Sequence, residues 1–209
     1  MPKKKLSLRQ IVFAVSGVLL ALSLLFPYLG IIFTSPQYPD RSPKMFLYAY
    51  GLKGDFKDWE ILGRYIGINI YPELPEFDSL ILVIIIAILA ALTIASAFLA
   101  MKWKKILPIL LAVAALCFAG WAQYRLYQQG HSLDPTAPLR FTVKPFTPPL
   151  IGITKVSRIR IYHFPHVGIA LYTLAIIGTA FARWRREKGS PKRKSLSAPR
   201  GAPSVPSNK

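Results

Sequence analysis

The residues best suited to chemistry in this 209-residue chain are its three histidines, His131, His163 and His166. A neutral imidazole ligates copper or zinc readily, and the His163-x-x-His166 pair can converge on one ion if the backbone turns at Pro165. The surroundings argue the other way: Asp134 is the one carboxylate in the same loop, and Arg158 and Arg160 would repel a cation. Cys117 is the single cysteine and lies within an apolar run, which excludes an internal disulfide and a Cys-x-x-Cys site and reads as a small core residue. The leading expectation is therefore interfacial or hydrogen-bonding histidines without a cofactor. The alternative is a copper- or quinone-linked redox component that uses the three histidines.

A second group, Asp55, Asp58 and Glu60 around Trp59, could pair for acid/base work. With Lys53, Lys57 and Arg64 beside it, the group reads as a solvated face. Neither a P-loop nor a Gly-x-Ser-x-Gly or His-Glu-x-x-His motif occurs, so the expectation is a protein that is not an enzyme. No apolar run contains a histidine or a central charge, which leaves haem ligation and an intramembrane proton relay without residues to perform them.

The elements that must position these residues are dominated by apolar runs. Hydrophobic residues make up 53% of the chain and mean hydropathy is +0.37. Runs at residues 10–34, 79–101, 106–123 and 167–182 predict four transmembrane helices, with Pro27 kinking the first and the charge-free 79–101 run the clearest. The net charge of +18 is concentrated at the N-terminus, in Lys102, Lys104 and Lys105, and from Arg183 onward; these places hold sixteen of the 27 basic residues and one acid. That distribution marks topology, and no nucleic-acid partner is expected. The predicted fold class is an all-α membrane protein of the plasma membrane with four spans, both termini cytoplasmic, and a small extracytoplasmic cap. Residues 1–183 form the membrane domain with outer loops 35–78 and 124–165, and residues 184–209 form a disordered basic cytoplasmic tail.

The outer loops carry the distinctive sequence. Residues 130–152, GHSLDPTAPLRFTVKPFTPPLIG, contain Pro135, Pro138, Pro145, Pro148 and Pro149, which fix φ and remove donors, so the segment is expected to be extended and semi-rigid. Alternation of apolar and polar residues over 139–144 and 156–162 predicts a short β-hairpin with the intervening prolines as a broad turn. In the first loop, residues 45–52 and 61–71 are too short to cross a bilayer and are expected to lie at the membrane surface or on the helix ends.

Residues 59–67, WEILGRYIG, together with Leu133-Asp134-Pro135-Thr136-Ala137-Pro138 and Pro145-Phe146-Thr147-Pro148-Pro149, resemble a poorly characterised family of four-span prokaryotic membrane proteins. That family carries an E-I-N-x-L-N-H-Y-I-G-M-like first loop and D-P-x-A-P and P-F-T-P-P motifs in the second. It occurs with copper-processing or ABC-type export systems like those that mature nitrous oxide reductase. Here Gly63-Arg64 stands in place of Asn-His and Ile68 in place of Met, which removes two residues that a copper site would use. The resemblance implies an accessory subunit of a larger membrane complex, in contact with lipids and other membrane subunits. Its docking cap would be formed by Tyr65, Gly67, Asp134, Pro135, Pro138, Pro145, Phe146, Pro148 and Pro149. A small oligomeric transporter is the remaining alternative.

Overall fold

The computed structural model describes residues 7–36, 39–68, 76–99, 105–139 and 141–189. The chain is not all-α: five helices are joined by a five-stranded antiparallel sheet, and three helices, not four, are long and apolar enough to cross a membrane. The difference arises in the first apolar run. Helix α1 (Leu8–Ser23) begins at a capping box in which the Ser7 hydroxyl accepts from Gln10 N and the Gln10 side chain accepts from Ser7 N. It ends after 16 residues, about 24 Å at 1.5 Å per residue, short of the ~30 Å hydrocarbon core. Pro27 marks a stop and not a kink. Beyond it the backbone pairs with other chain segments: Tyr28 N donates to Leu47 O, His166 N donates to Tyr28 O and Gly168 N donates to Pro27 O.

The rest of that run is strand β1 (Leu29–Thr34), the centre of the sheet. Its β-branched and aromatic residues are equally compatible with lipid and with a half-buried pleat. The first outer loop supplies β2 (Lys44–Tyr48) and β3 (Gly51–Gly54), and the second supplies β4 (Gly152–Val156) and β5 (Ile159–Pro165). The order β3-β2-β1-β5-β4 makes β1 the seam between the two loops, with Ile31 opposite both Met45 and His163. The predicted hairpin exists with different members. Its arms are β4 and β5, turning at Ser157-Arg158, and residues 139–144 are not a strand. There Thr142 N and Val143 N both donate to Leu139 O, a local turn that occupies the groups a ladder would need.

Helix α2 (Phe56–Ile66) follows β3 and buries Trp59, Leu62 and Ile66, one face at helical spacing. That face packs with Phe33, Met45, Val156, Ile159 and Ile161 into the core of the cap. Residues 45–52 and 61–66 are thus sheet and core helix, while the 69–71 part of the expected surface segment lies outside the described residues.

The long helices are α3 (Glu76–Phe98), α4 (Leu107–His131) and α5 (Val167–Gly189). Helix α1 packs on α3 and α5. Gly17 permits the first approach, since a Cβ there would come within 2.9 Å of Ile94 N on α3. Gly178 of α5 faces the Ser16 hydroxyl in the same way. Ala90, Ser96 and Ala97 are buried, whereas Ala87 and Ala91 are exposed. Helix α4 runs without interruption to His131 and touches the bundle mainly through α5. Cys117 on it is exposed, which corrects its reading as a core residue: α4 turns that face away from the other helices. At the end of the bundle away from the sheet, Arg183 donates to Lys105 O at 3.1 Å. Residues 184–189 of the expected disordered tail continue α5, while residues 190–209 and the basic turn at Lys102 and Lys104 lie outside the described residues.

Candidate functional site

The two long connections interlock, and the cap residues singled out from sequence fall partly where they meet and partly against α4. Gly67 ends α2 in the left-handed conformation at φ 92°, which turns the chain so that Gly67 O accepts from Asp134 N at 2.8 Å. Next to it, Ile68 bridges to Leu133 and Tyr65 O accepts from Leu139 N. Asp134 organises its own turn, its Oδ1 accepting from Thr136 N at 2.8 Å and from the Thr136 hydroxyl at 2.7 Å. These bonds hold its carboxyl below the usual carboxylate range. Pro135, Pro138 and Pro145 are exposed. Phe146 N donates to Gly130 O, and the Gln123 amide grips the following prolines by donating to Pro148 O and accepting from Leu150 N. Pro148 is buried, and Pro149 sits over Gly152. Tyr65, Gly67 and residues 133–139 therefore form one cluster, and Phe146, Pro148 and Pro149 form a second, tied to α4.

The histidines separate. His163 is on the face of β5 that packs against α2, at 6% exposure. His166 lies beyond the strand end, its ring at 5.4 Å from Phe46 and 6.2 Å from Phe164, two residues of the opposite face. His131 stacks on Tyr127 at the C-terminal end of α4, with Nδ1 on Tyr127 O. Strand periodicity accounts for this, because a separation of three residues reverses the face. Among the described residues no group of three His, Cys, Asp or Glu side chains is gathered in metal-binding reach. Where the resembled family has His and Met, Arg64 is exposed and paired with Glu60 at 2.6 Å, and Ile68 lines the cap interior. Of the carboxylate group, Asp55 accepts from Lys44 N at 3.0 Å and from Arg41 at 2.9 Å, bonds that lower its pKa and secure the β3–α2 corner.

Alternation sorts the sheet's charges completely. Lys44, Lys53, Lys155 and Arg160 all point away from α2, all are exposed, and the five strands contain no acid. Between them on the same face are Phe46, Tyr48, Tyr162 and Phe164. The Lys53 ammonium lies 5.3 Å from the Tyr48 ring centroid and 4.9 Å from that of Tyr50.

The inner face closes a cavity of about 120 Å³ with α2 and the C-terminal half of α4, lined by Trp59, Trp121, Arg125, Gln129, Phe146 and His163 among others. Sequence reasoning missed Trp59, Arg125 and Gln129 as members of a site, because Trp59 was read with its acidic neighbours and α4 was expected to end near Gln123. The available signal was the i, i+4 pairs Trp121/Arg125 and Arg125/Gln129 at the end of an apolar helix.

Burial pushes the His163 pKa down to about 4 from 6.5. The unfolded chain then binds the extra proton between those values, so stability is full above pH 6.5 and falls as pH drops toward 4. The whole shift corresponds to on the order of 3 kcal/mol. Denaturation midpoints across pH 4–7 are expected to show this slope in the native protein and a flatter profile in His163→Phe.

This architecture defines a protein with three helices able to cross a membrane by length and composition, capped by a mixed helix-and-sheet layer built from both of its long connections. No family model matches the chain, and no curated protein matches it.

Proposed function

We propose that this chain is a non-catalytic accessory subunit of the plasma membrane whose cap docks a partner subunit with an acidic surface. The observation that carries the reading is the sorting of Lys44, Lys53, Lys155 and Arg160 onto one exposed sheet face with no carboxylate on any strand. Interleaved aromatics give that face the composition of an interface core, and the four cations supply electrostatic complementarity. The ends of α4 and α5 away from the cap carry Lys105 and Arg183, and by the positive-inside rule these favour a cytoplasmic side for that end and an external side for the cap. Resemblance of the loop motifs to proteins of copper-processing and ABC-type export systems is the support for placing it in a complex of that kind.

The test is co-purification from native membranes in mild detergent. A partner retained by the native protein and by a Lys57→Glu/Arg158→Glu control, and lost when Lys44, Lys53, Lys155 and Arg160 are all changed to Glu, is the expected result. Recovery of a homo-oligomer alone, or a partner indifferent to the four reversals, overturns it.

A further inference from the structure

Two voids lie on either side of Leu29 and Ala122, where α4 leaves the bundle and enters the cap. The upper one is the cavity of about 120 Å³ between the sheet, α2 and α4. The lower is a groove of about 220 Å³ between α3, α4 and α5, walled by side chains such as Ile85, Leu89, Phe118 and Ile169. Leu29 and Ala122 line both. The lower void has no hydrogen bond to offer a ligand from its two tyrosines, whose hydroxyls are already engaged: Tyr28 with the Ser23 hydroxyl and Tyr172 with Leu111 O.

The upper void is different. Trp59 and His163 are among its lining residues, each 6% exposed, and Trp59 Nε1 and His163 Nδ1 are buried without a hydrogen-bond partner. An unmet buried polar group costs about 1–3 kcal/mol, and two on one small cavity call for an explanation in what the cavity holds. The indole N–H is a donor only, so its partner must be an acceptor, and an imidazole N–H can meet a second acceptor. Most of the remaining wall is apolar or aromatic: Phe33, Trp121 and Phe146 are part of it, and the Arg125 guanidinium lies 5.7 Å from the Trp121 ring centroid. A wall of that kind favours a neutral, flat head group over a charged one, whose desolvation would cost several kcal/mol.

The geometry points to an isoprenoid quinone as the occupant, its ring in the upper cavity with carbonyl oxygens facing Trp59 Nε1 and His163, and its single apolar tail in the groove between α3, α4 and α5. The ring supplies two acceptors to two unmatched nitrogens, and the tail follows the one wall the voids share. Only binding is inferred; the docking surface lies on the other face of the sheet and stands or falls separately.

The test is equilibrium binding of radiolabelled decylubiquinone to the full-length protein in nanodiscs. Saturable one-to-one binding is expected, weakened about tenfold by Trp59→Phe and by His163→Phe, the value of one hydrogen bond of ~1.4 kcal/mol. Ala122→Leu, which narrows the shared wall, should weaken binding without touching either nitrogen. In the absence of quinone, His163→Phe should melt at or above the native temperature at neutral pH, because it removes an unmet polar group with little change in volume, whereas in both variants the rise in melting temperature on adding decylubiquinone should be lost. No saturable binding, binding unchanged in all three variants, or displacement of bound quinone by oleate at equal concentration overturns the assignment.

Discussion

Phe33→Ala is expected to cost about 3–5 kcal/mol and to unfold the cap at a temperature where the long apolar helices persist. Phe33 is 1% exposed at the centre of the middle strand, and its ring centroid lies 3.8 Å from that of Trp59 on α2. No other strand touches both loops, so the cavity left by the ring opens where β1, β2, β5 and α2 meet. Collapse around it is restricted by two ladders, which is the condition under which large-to-small substitutions cost most. Near-ultraviolet circular dichroism should lose the Trp59 signal on heating well before far-ultraviolet helix signal falls. Coincident melting of the two signals at the native temperature would show that β1 does not hold the cap together.

The second large effect is at Gly67, where Gly67→Val should destabilise the cap by about 2–4 kcal/mol. Two penalties combine. At φ 92° a β-branched residue is strained whatever the space around it, and a Cβ would stand 2.9 Å from Ala137 Cβ and 3.2 Å from Asp134 O. A paired variant separates them: Gly67→Ala should be partly rescued by Ala137→Gly, which removes the Cβ contact and leaves the backbone cost. Absence of any rescue in thermal denaturation would mean that the loops do not meet as described.

The two results concern the same fact, that the cap is assembled from segments about 100 residues apart, on either side of α3 and α4 in the chain. Residues 24–68 enter it from one connection and residues 132–166 from the other, and no local segment of either is a complete folding unit. The core cluster draws Trp59, Leu62 and Ile66 from the first and Val143, Val156 and Ile161 from the second. Isolated peptides of either loop are therefore poor surrogates for binding work, and the full chain is needed.

Much of the helical part was legible in the sequence, because length and apolarity are local quantities. The charge-free run is α3 with its bounds shifted by about three residues, and the Pro108-initiated run is the start of α4, which continues past the expected end at Gln123 to His131. The first run misled for a physical reason. Leu29-Gly30-Ile31-Ile32-Phe33 is apolar enough for lipid, but its neighbours after Pro27 are strands, and hydropathy does not distinguish a buried strand from the end of a spanning helix. Alternation identified part of β5 correctly and failed at residues 139–144, whose backbone groups are spent on a local turn and on Tyr65 O. The Pro-rich segment is not the single extended element expected: Gly130 and His131 finish α4 and turns follow at Pro135-Thr136, Pro138-Leu139 and Phe141-Thr142, and the identity of what it clasps was not written in it.

The candidate site divides the same way. Sequence alone singled out Tyr65, Gly67 and Asp134, residues that the structure joins by hydrogen bonds between the loops, and it marked His163 as a residue of interest. It joined His163 to His166, which the strand places on the other side of the sheet, and passed over Trp59, Arg125 and Gln129. By itself the sequence determined the apolar helices, the basic ends and the punctuating prolines and glycines, since propensity, hydropathy and allowed φ act within a few residues. Tertiary structure alone decided that part of the first apolar run is the central strand, that all four strand cations share one face, and that Trp59 and His163 close on the same cavity, because each depends on β1 pairing with segments from both loops.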